Sequence, residues 1–194
     1  MLKLGLTGSI GMGKSATAQM FKDEGIPVHE ADQAVHELYA GRAAPLINAA
    51  FPGTVAKGKV DRKLLSEKVL NDTAAMKRLE AIVHPLVRET ETAFLRQAET
   101  SGAELVVLDI PLLFETHAET RVDKVLVVTA SPDIQRSRVL ARPGMSEDKF
   151  NAILARQMPD AEKQAKADYV INTSFGLDKA RSDVRKLIKR LTKA

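Results

Sequence analysis

The chain has 194 residues, of which 44% are hydrophobic, so it can bury the core of one domain and carry a modest insertion. It contains no cysteine, which excludes disulfides, thiolate zinc sites and cysteine nucleophiles. The formal net charge of +4 suits nucleic acid or small polyanions such as nucleotides. The basic residues are spread out without interleaved aromatic residues, so we expect no nucleic-acid partner.

The N-terminal segment predicts a strand rather than a targeting sequence. It reads MLKLGLTGS and lacks the basic region and the long apolar region of a signal peptide. No apolar run approaches the roughly 18 residues that a membrane helix needs. We therefore expect a cytoplasmic protein without a membrane partner.

The first part of the chain alternates strands with helices. Apolar strands are predicted at residues 2–7 and 26–29, and helices at residues 14–24 and 31–39. Gly25 suits the end of the first helix. Such alternation is typical of an open α/β sheet.

The middle of the chain has a different pattern. Between residues 41 and 101 no segment predicts a strand, whereas helices are predicted at residues 45–51, 61–70, 73–82 and 85–101. A doubly wound sheet should alternate strands and helices throughout. We therefore predict that residues 41–101 form a helical insertion that covers the substrate.

The alternation resumes in the last part of the chain. Near-continuous apolar runs predict strands, as expected for a parallel sheet that is buried on both faces. These strands are predicted at residues 104–110, 122–129 and 168–172, and helices at 132–142, 146–157 and 177–191, with hydroxyl caps at Ser131 and Ser146. The predicted fold class is therefore α/β, a single domain over residues 1–194 with a five-stranded, mostly parallel sheet and helices on both faces.

Residues 8–15 read GSIGMGKS, which matches the phosphate-loop pattern G-x-x-x-x-G-K-[ST] between a strand and a helix. Glycines let the backbone turn its N–H groups toward phosphates, and the following helix adds the positive end of its dipole. Lys14 would reach the β- and γ-phosphates, and the Ser15 hydroxyl would bind Mg²⁺. The predicted ATP-binding residues of this segment are Gly8, Ser9, Ile10, Gly11, Met12, Gly13, Lys14, Ser15 and Ala16.

A second element supports the phosphate loop. The apolar run ELVVLDI places Asp109 near the end of a predicted strand. An acid at this position can hold the Mg²⁺ shell, usually through water, although Asp is also common there because it favours turns. Beside a phosphate loop we predict Ser15 and Asp109 as the metal ligands, with ATP and Mg²⁺ as cofactors.

Among phosphate-loop proteins, the sequence favours a small-molecule kinase. It has no N-K-x-D guanine motif, and a chain this short has little room for the signature regions of large ATPases. Small-molecule kinases need lid arginines that neutralise the transferring phosphoryl group. Arg142 precedes the turn at Pro143-Gly144, so we predict that it is catalytic and that residues 136–160 form the lid. Arg138 is expected to lie on a solvated helix face.

Several segments together resemble the dephospho-CoA kinase family. They are GLTGSIGMGKS at residues 5–15, Ala31-Asp32, Val83-His84-Pro85, DIPLLFE at 109–115, Arg142, Arg156-Gln157-Met158-Pro159 and AKADYVIN at 165–172. The phosphate loop is shared by many families, but this combination of segments is specific to far fewer of them. The sequence departs from the family pattern at Ser9, Met12 and Ala16, which should be tolerated because backbone N–H groups bind the phosphates.

The resemblance implies a P-loop kinase core with a helical acceptor-binding insertion and a lid. It also implies transfer of the ATP γ-phosphate to the 3′-hydroxyl of dephospho-CoA ribose, which makes dephospho-CoA the expected partner. Asp32 would act on the acceptor hydroxyl, a role that suits a carboxylate just beyond the second strand. His84 and Leu113 would bind the acceptor, and Asn172 would lie in the ATP site.

Other functions stay open on these residues. Another small-molecule kinase with a nucleoside or sugar acceptor would carry the same phosphate loop. A non-catalytic nucleotide sensor would be expected to have lost Lys14, Ser15 or Asp32, and all three are present. A nucleic-acid binder would show an affinity for random duplex that falls steeply with salt.

Overall fold

The computed structural model describes residues 1–70 and 72–192; Asn71, within the predicted insertion, and Lys193 and Ala194 lie outside the described residues. The described chain divides into two compact units. The first unit contains Met1–His29 and the described residues from Ala98 onward, and the second contains Glu30–Gln97. No described helix is both long enough and apolar enough to span a bilayer.

Five strands form the main sheet and two form a small hairpin. The strands are β1 (Leu2–Thr7), β2 (Val28–Glu30), β3 (Val55–Ala56), β4 (Lys59–Val60), β5 (Leu105–Asp109), β6 (Lys124–Thr129) and β7 (Tyr169–Asn172). The main sheet has the order β2-β5-β1-β6-β7, and β3 pairs with β4. Within the main sheet β1 pairs in parallel with β5 and β6, and β6 pairs in parallel with β7. This arrangement confirms the predicted α/β fold class.

The helices complete the α/β pattern. They are α1 (Lys14–Asp23), α2 (Ala31–Tyr39), α3 (Ala43–Ala50), α4 (Arg62–Val69), α5 (Thr73–Thr100), α6 (Pro132–Leu140), α7 (Glu147–Leu154), α8 (Asp160–Lys166) and α9 (Leu177–Leu191). The helices α2 and α9 begin and end where the sequence predicted them, whereas α6 and α7 end two and three residues earlier. The short helix α8 was not predicted.

The core of the first unit lies between the sheet and its helices. Every residue of β5 is buried, as expected for an inner strand covered on both faces. The side chains of Leu6 in β1, Phe21 in α1 and Val184 in α9 have no exposed surface and belong to one apolar cluster. Aliphatic packing therefore positions the loops at the carboxyl ends of the strands.

The second unit has its own apolar core. Leu38 of α2, Ile47 of α3, Leu65 of α4 and Leu79 of α5 are buried in a single cluster within it. Asp61 begins α4 as a side-chain cap and accepts hydrogen bonds from two backbone N–H groups of the first turn.

The hairpin β3–β4 corrects the expectation of a purely helical segment between residues 41 and 101. Lys57 and Gly58 both have positive φ angles, 51° and 74°, which is the backbone of a two-residue hairpin turn. Val55 pairs with Val60 across this turn. In the sequence, Val55 and Val60 lie on either side of Lys57-Gly58. Strands of two residues are, however, too short to show an alternation of apolar and polar residues.

The long helix α5 is a second correction. Helices were predicted to end at residue 82 and to begin again at Pro85, yet α5 continues through Pro85. Proline lacks an N–H group and removes one helical hydrogen bond. Val83 and Leu86 are both buried in the second unit's core, and packing on both sides of Pro85 holds the helix together.

The predicted caps differ in outcome. Ser146 accepts a hydrogen bond from the backbone N–H of Lys149 at 3.3 Å and caps α7 as predicted. Ser131 precedes α6, but its hydroxyl makes no capping bond. Its backbone N–H donates instead to the Ser174 hydroxyl at 2.8 Å, so this position joins two loops of the first unit.

Candidate active site

The phosphate loop connects β1 to α1 at the carboxyl edge of the sheet. Gly13 lies immediately before α1 with φ 93°, a left-handed conformation that glycine adopts without strain. A Cβ atom on Gly8 would lie 2.7 Å from the carbonyl oxygen of Val128 in β6, so only glycine fits there. Ser15 and Ala16 are exposed in the first turn of α1. The segment therefore has the bend, the helix start and the open face that phosphate binding requires.

Lys14 and Asp109 meet at this edge. The Lys14 Nζ lies 2.7 Å from the Asp109 Oδ1, and only 4% of Asp109 is exposed. Asp109 ends β5, and Lys14 begins α1, which follows the phosphate loop after β1; β1 and β5 are adjacent parallel strands. The structure thus brings together the two charges that the sequence predicted for phosphate and metal binding.

Polar side chains hold the back of the phosphate loop. Gln135 donates from Nε2 to the Ile10 carbonyl at 2.8 Å, and the Thr173 hydroxyl lies 2.8 Å from the Met12 carbonyl. Arg138 donates from Nη1 to the Thr173 hydroxyl at 2.8 Å and makes a longer contact of 3.4 Å to the Gly11 carbonyl. Gln135, Arg138 and Thr173 are called the carbonyl brace below.

The carbonyl brace corrects one expectation and adds residues that the sequence did not single out. Arg138 was expected on a solvated face, but it is half-buried and both of its terminal nitrogens are hydrogen-bonded. Its three-residue spacing from Gln135 puts both on one face of α6, and that spacing could have suggested a shared role. Nothing in the sequence marks Thr173.

The end of the predicted lid segment is anchored to the phosphate loop and to the segment after β5. Gln157 accepts a hydrogen bond from the Ile10 N–H at 3.1 Å, and Glu115 accepts one from the Met158 N–H at 2.8 Å. The same Glu115 oxygen lies 2.9 Å from the Lys163 Nζ, and Lys163 has no exposed surface. Burial works to raise the pKa of Glu115, but the Lys163 ammonium and the Met158 N–H outweigh it and hold that pKa below its ordinary value.

Three predicted site residues of the first unit lie outside this group of contacts. Arg142 is exposed just beyond the end of α6. Asn172 is exposed at the end of β7, where its Oδ1 accepts a hydrogen bond from the Ser174 N–H at 2.9 Å. Leu113 has no exposed surface, and a Cβ atom on Gly5 would lie 2.7 Å from its Cδ1. In this conformation Leu113 is a packing residue, whereas the neighbouring Leu112 is 42% exposed.

The other two predicted acceptor residues lie in the second unit. Asp32 is the second residue of α2 and is exposed. His84 is exposed on α5, directly before Pro85. Both side chains are therefore accessible from solvent, and their predicted roles stay predictions.

The oxygen ligands at the loop suit Mg²⁺. Ser15 offers an exposed hydroxyl and Asp109 a carboxylate, and Mg²⁺ is usually bound by one or two protein oxygens together with water and phosphate. Among the described residues no group of three or more His, Cys, Asp or Glu side chains could hold a metal ion.

Comparison with known proteins identifies the family. A family model described as dephospho-CoA kinase matches residues 2–179. A dephospho-CoA kinase from Rhodopseudomonas palustris (strain HaA2) is 60% identical over 188 residues, which cover 97% of this chain and 94% of that relative.

Two solved structures resemble the chain over nearly its full length. A crystal structure from Thermus thermophilus has a TM-score of 0.87 and 34% identity and covers 98% of each chain. A dephospho-CoA kinase from Campylobacter jejuni has a TM-score of 0.70 and 25% identity and covers 99% of this chain and 98% of that one. With this similarity of sequence and fold, the chain belongs to the dephospho-CoA kinase family.

Proposed function

We propose that this chain transfers the γ-phosphate of ATP to the 3′-hydroxyl of dephospho-CoA ribose, which gives coenzyme A and ADP. The observation that carries the proposal is the 2.7 Å contact between Lys14 and Asp109 at the phosphate loop, in a chain of the dephospho-CoA kinase family. This contact supports ATP and Mg²⁺ as cofactors. The cytoplasmic location and the lack of a nucleic-acid partner stay predictions of the sequence.

The phosphate loop would bind the ATP phosphates through backbone N–H groups and the positive end of α1. Lys14 would leave Asp109 and pair with the β- and γ-phosphates, where it stabilises the charge of the transition state. Before ATP binds, the contact with Asp109 compensates both charges in a largely buried place. Neither Lys14 nor Asp109 is therefore an isolated buried charge before ATP binds.

Ser15 and Asp109 would hold Mg²⁺. A bound Mg²⁺ would neutralise part of the negative charge on the β- and γ-phosphates during transfer. Asp109 is fixed at the end of an inner strand, so its carboxylate needs little ordering on binding. Lys14 would be released from Asp109 as the nucleotide binds.

The acceptor would be oriented by residues of the second unit. The Asp32 carboxylate would accept the proton of the 3′-hydroxyl or hold that hydroxyl in line with the γ-phosphate. Residues 41–101 would bind the rest of dephospho-CoA, with His84 as a contact. The lid, residues 136–160, would bring Arg142 to the transferring phosphoryl group.

A transfer assay tests the proposal. The protein is supplied with ATP and Mg²⁺ and with dephospho-CoA, a nucleoside panel or a sugar panel, and the position of the new phosphate is read by ³¹P NMR. We expect transfer to dephospho-CoA at the 3′-position and little transfer to the others. Faster transfer to a nucleoside or a sugar would establish the alternative small-molecule kinase.

Lys14→Ala serves as the matched inactive variant in that assay. Losing one preorganised charge of this kind should lower kcat on the order of 10²- to 10³-fold. Activity close to that of the wild type, with an unchanged circular dichroism spectrum, would show that the reaction does not use this loop.

A further inference from the structure

The side chains of the carbonyl brace contact the back of the phosphate loop and do not extend to its open face. Three consecutive carbonyl groups, those of Ile10, Gly11 and Met12, each accept from a side chain of the carbonyl brace. These donors come from residues 125 or more positions away along the chain. Only 6% of Gln135 and 6% of Thr173 are exposed, so neither contact is shared with bulk solvent.

The hydroxyl of Thr173 has one proton, and its surroundings decide where that proton goes. Arg138 Nη1 donates to this hydroxyl at 2.8 Å, so the oxygen acts as an acceptor on that side. The Met12 carbonyl lies 2.8 Å away and the Thr129 carbonyl 3.2 Å away. The nearer carbonyl gives the better hydrogen bond, and the proton of Thr173 points at Met12.

Arg138 in turn fixes Thr173 with two nitrogens. Its Nη2 donates to the Thr173 backbone carbonyl at 2.8 Å, while Nη1 holds the hydroxyl. This fork geometry is specific to the planar guanidinium and could not be reproduced by lysine. Arg138 thus holds Thr173, and Thr173 in turn contacts the loop through the Met12 carbonyl.

Peptide planarity transmits these contacts to the other side of the loop. In a trans peptide the carbonyl and the following N–H point in opposite directions. A hydrogen bond that fixes the Met12 carbonyl therefore directs the Gly13 N–H away from Thr173. Likewise the bond from Gln135 to the Ile10 carbonyl directs the Gly11 N–H away from α6.

We propose that Thr173, oriented by Arg138, is a positioning residue that sets the backbone N–H groups of the phosphate loop for the nucleotide phosphates. This inference rests on the proposed function only in taking the loop as the phosphate site. Thr173 acts through the Met12 carbonyl and needs no contact with the nucleotide. Gln135 performs the same task at Ile10.

The test compares Thr173→Val with Thr173→Ser. Valine keeps the shape of threonine without the hydroxyl, and serine keeps the hydroxyl without the methyl group. Calorimetry measures the affinity for ADP and for inorganic tripolyphosphate, which has phosphates but no base or sugar. T173V loses the hydrogen bond to the Met12 carbonyl and the acceptor of Arg138 Nη1. We expect it to weaken both affinities by about three- to tenfold, the effect of one lost hydrogen bond to the loop, and T173S to stay near the wild type.

Kinetics and stability give further readouts. The loop binds the phosphates before and during transfer, so T173V should raise the KM for ATP by a similar factor while kcat changes little. A residue that matters only for stability would lower Tm and leave the affinity for tripolyphosphate unchanged. That result would overturn the inference, as would an equal loss in T173S.

A second variant covers the case in which T173V does not fold. Gln135→Met is close to glutamine in size and lacks the donor to Ile10, and Ser137→Ala on the exposed side of α6 is its control. Q135M should weaken tripolyphosphate binding and S137A should not; equal affinities would overturn the inference. Dephospho-CoA takes no part in these titrations, so a wild type that binds tripolyphosphate but does not phosphorylate dephospho-CoA would defeat the proposed function alone.

Discussion

Asp32 is the residue whose side chain decides how the acceptor would be activated. Asp32→Asn keeps the size and the hydrogen-bonding capacity of the side chain but cannot take a proton. If Asp32 is a general base, kcat should fall on the order of 10²- to 10⁴-fold. If it only orients the hydroxyl, the loss should be about tenfold, since the transition state of phosphoryl transfer is loose.

The measurement is kcat with saturating ATP and dephospho-CoA, together with the affinity for ATP. ATP should bind D32N as it binds the wild type, because the phosphate loop is unchanged. Glu37→Gln, an exposed acid-to-amide change on the same helix α2, is the matched control. Full activity of D32N would show that the acceptor hydroxyl is activated by another group.

At the level of single residues, part of the candidate site could be predicted from the sequence. Lys14, Ser15 and Asp109 followed from a local motif and a strand end, because parallel strands bring their carboxyl ends to one edge. Gln135 and Thr173 did not follow, because their contacts depend on how α6 and the segment after β7 pack behind the loop. Leu113 has no exposed surface, and its predicted role in the acceptor site stays a prediction.

The lid prediction can be tested at Arg142, which lies in the turn after helix α6. Arg142→Ala should lower kcat more than it raises the KM for ATP, because a lid arginine acts mainly on the charge of the transition state. Arg142→Lys keeps the charge without the planar fork and should give an intermediate kcat. Steady-state kinetics with ATP as the varied substrate separates the two constants. A rise in KM alone would make Arg142 an ordinary binding residue.

The proline inside α5 gives a prediction about stability. Pro85→Ala supplies the missing N–H group and removes the proline ring, so the free energy of unfolding should rise by up to about 3 kcal/mol. Thr92→Ala, at an exposed position of the same helix where the hydroxyl bonds the Arg88 carbonyl at 2.8 Å, calibrates the effect of alanine at a site where no backbone N–H is missing. Urea unfolding followed by circular dichroism measures both variants. A loss of stability in P85A would mean that packing around residue 85 requires the proline.

The elements show where sequence reasoning succeeds and where it does not. Buried strands such as β1 and β5 were predictable, because continuous apolar runs identify them. The helix α5 was divided in the prediction since proline usually ends a helix, whereas contacts of Val83 and Leu86 with the core override that preference. The hairpin β3–β4 is set by a local turn, and its strands are too short to show alternation.

At the scale of the whole molecule, the contact between Glu115 and Lys163 joins the segment after β5 to α8. Glu115→Gln should lower the free energy of unfolding by about 3–5 kcal/mol, because it leaves the Lys163 ammonium buried and unpaired. The double variant Glu115→Gln with Lys163→Met removes both charges and should recover most of that loss. Chemical unfolding of the wild type, both single variants and the double variant gives the coupling energy. Additive effects of the two changes would show that the pair has no energetic coupling.

The same pair predicts how stability depends on pH. The pKa of Glu115 is lowered in the folded protein, so its stabilisation is complete above the ordinary carboxyl pKa of about 4.3 and is lost as the pH falls through the folded value. Thermal unfolding between neutral and acidic pH measures this loss. The double variant should lose less stability than the wild type over the acidic part of that range. Parallel curves would assign the acid sensitivity to other carboxylates.

The burial of Lys163 also makes its amine a reporter of the opening of the fold. Amine-reactive esters should modify exposed lysines such as Lys57, Lys63 and Lys68 at once, but they can reach Lys163 only in molecules in which its surroundings have opened. When opening is fast compared with modification, the labelling rate at Lys163 is proportional to the open population. Peptide mass spectrometry of a labelling time course would therefore give the local opening free energy without denaturant. Bound nucleotide should slow labelling at Lys163 if the opening that exposes it also disrupts the loop that Gln157 contacts.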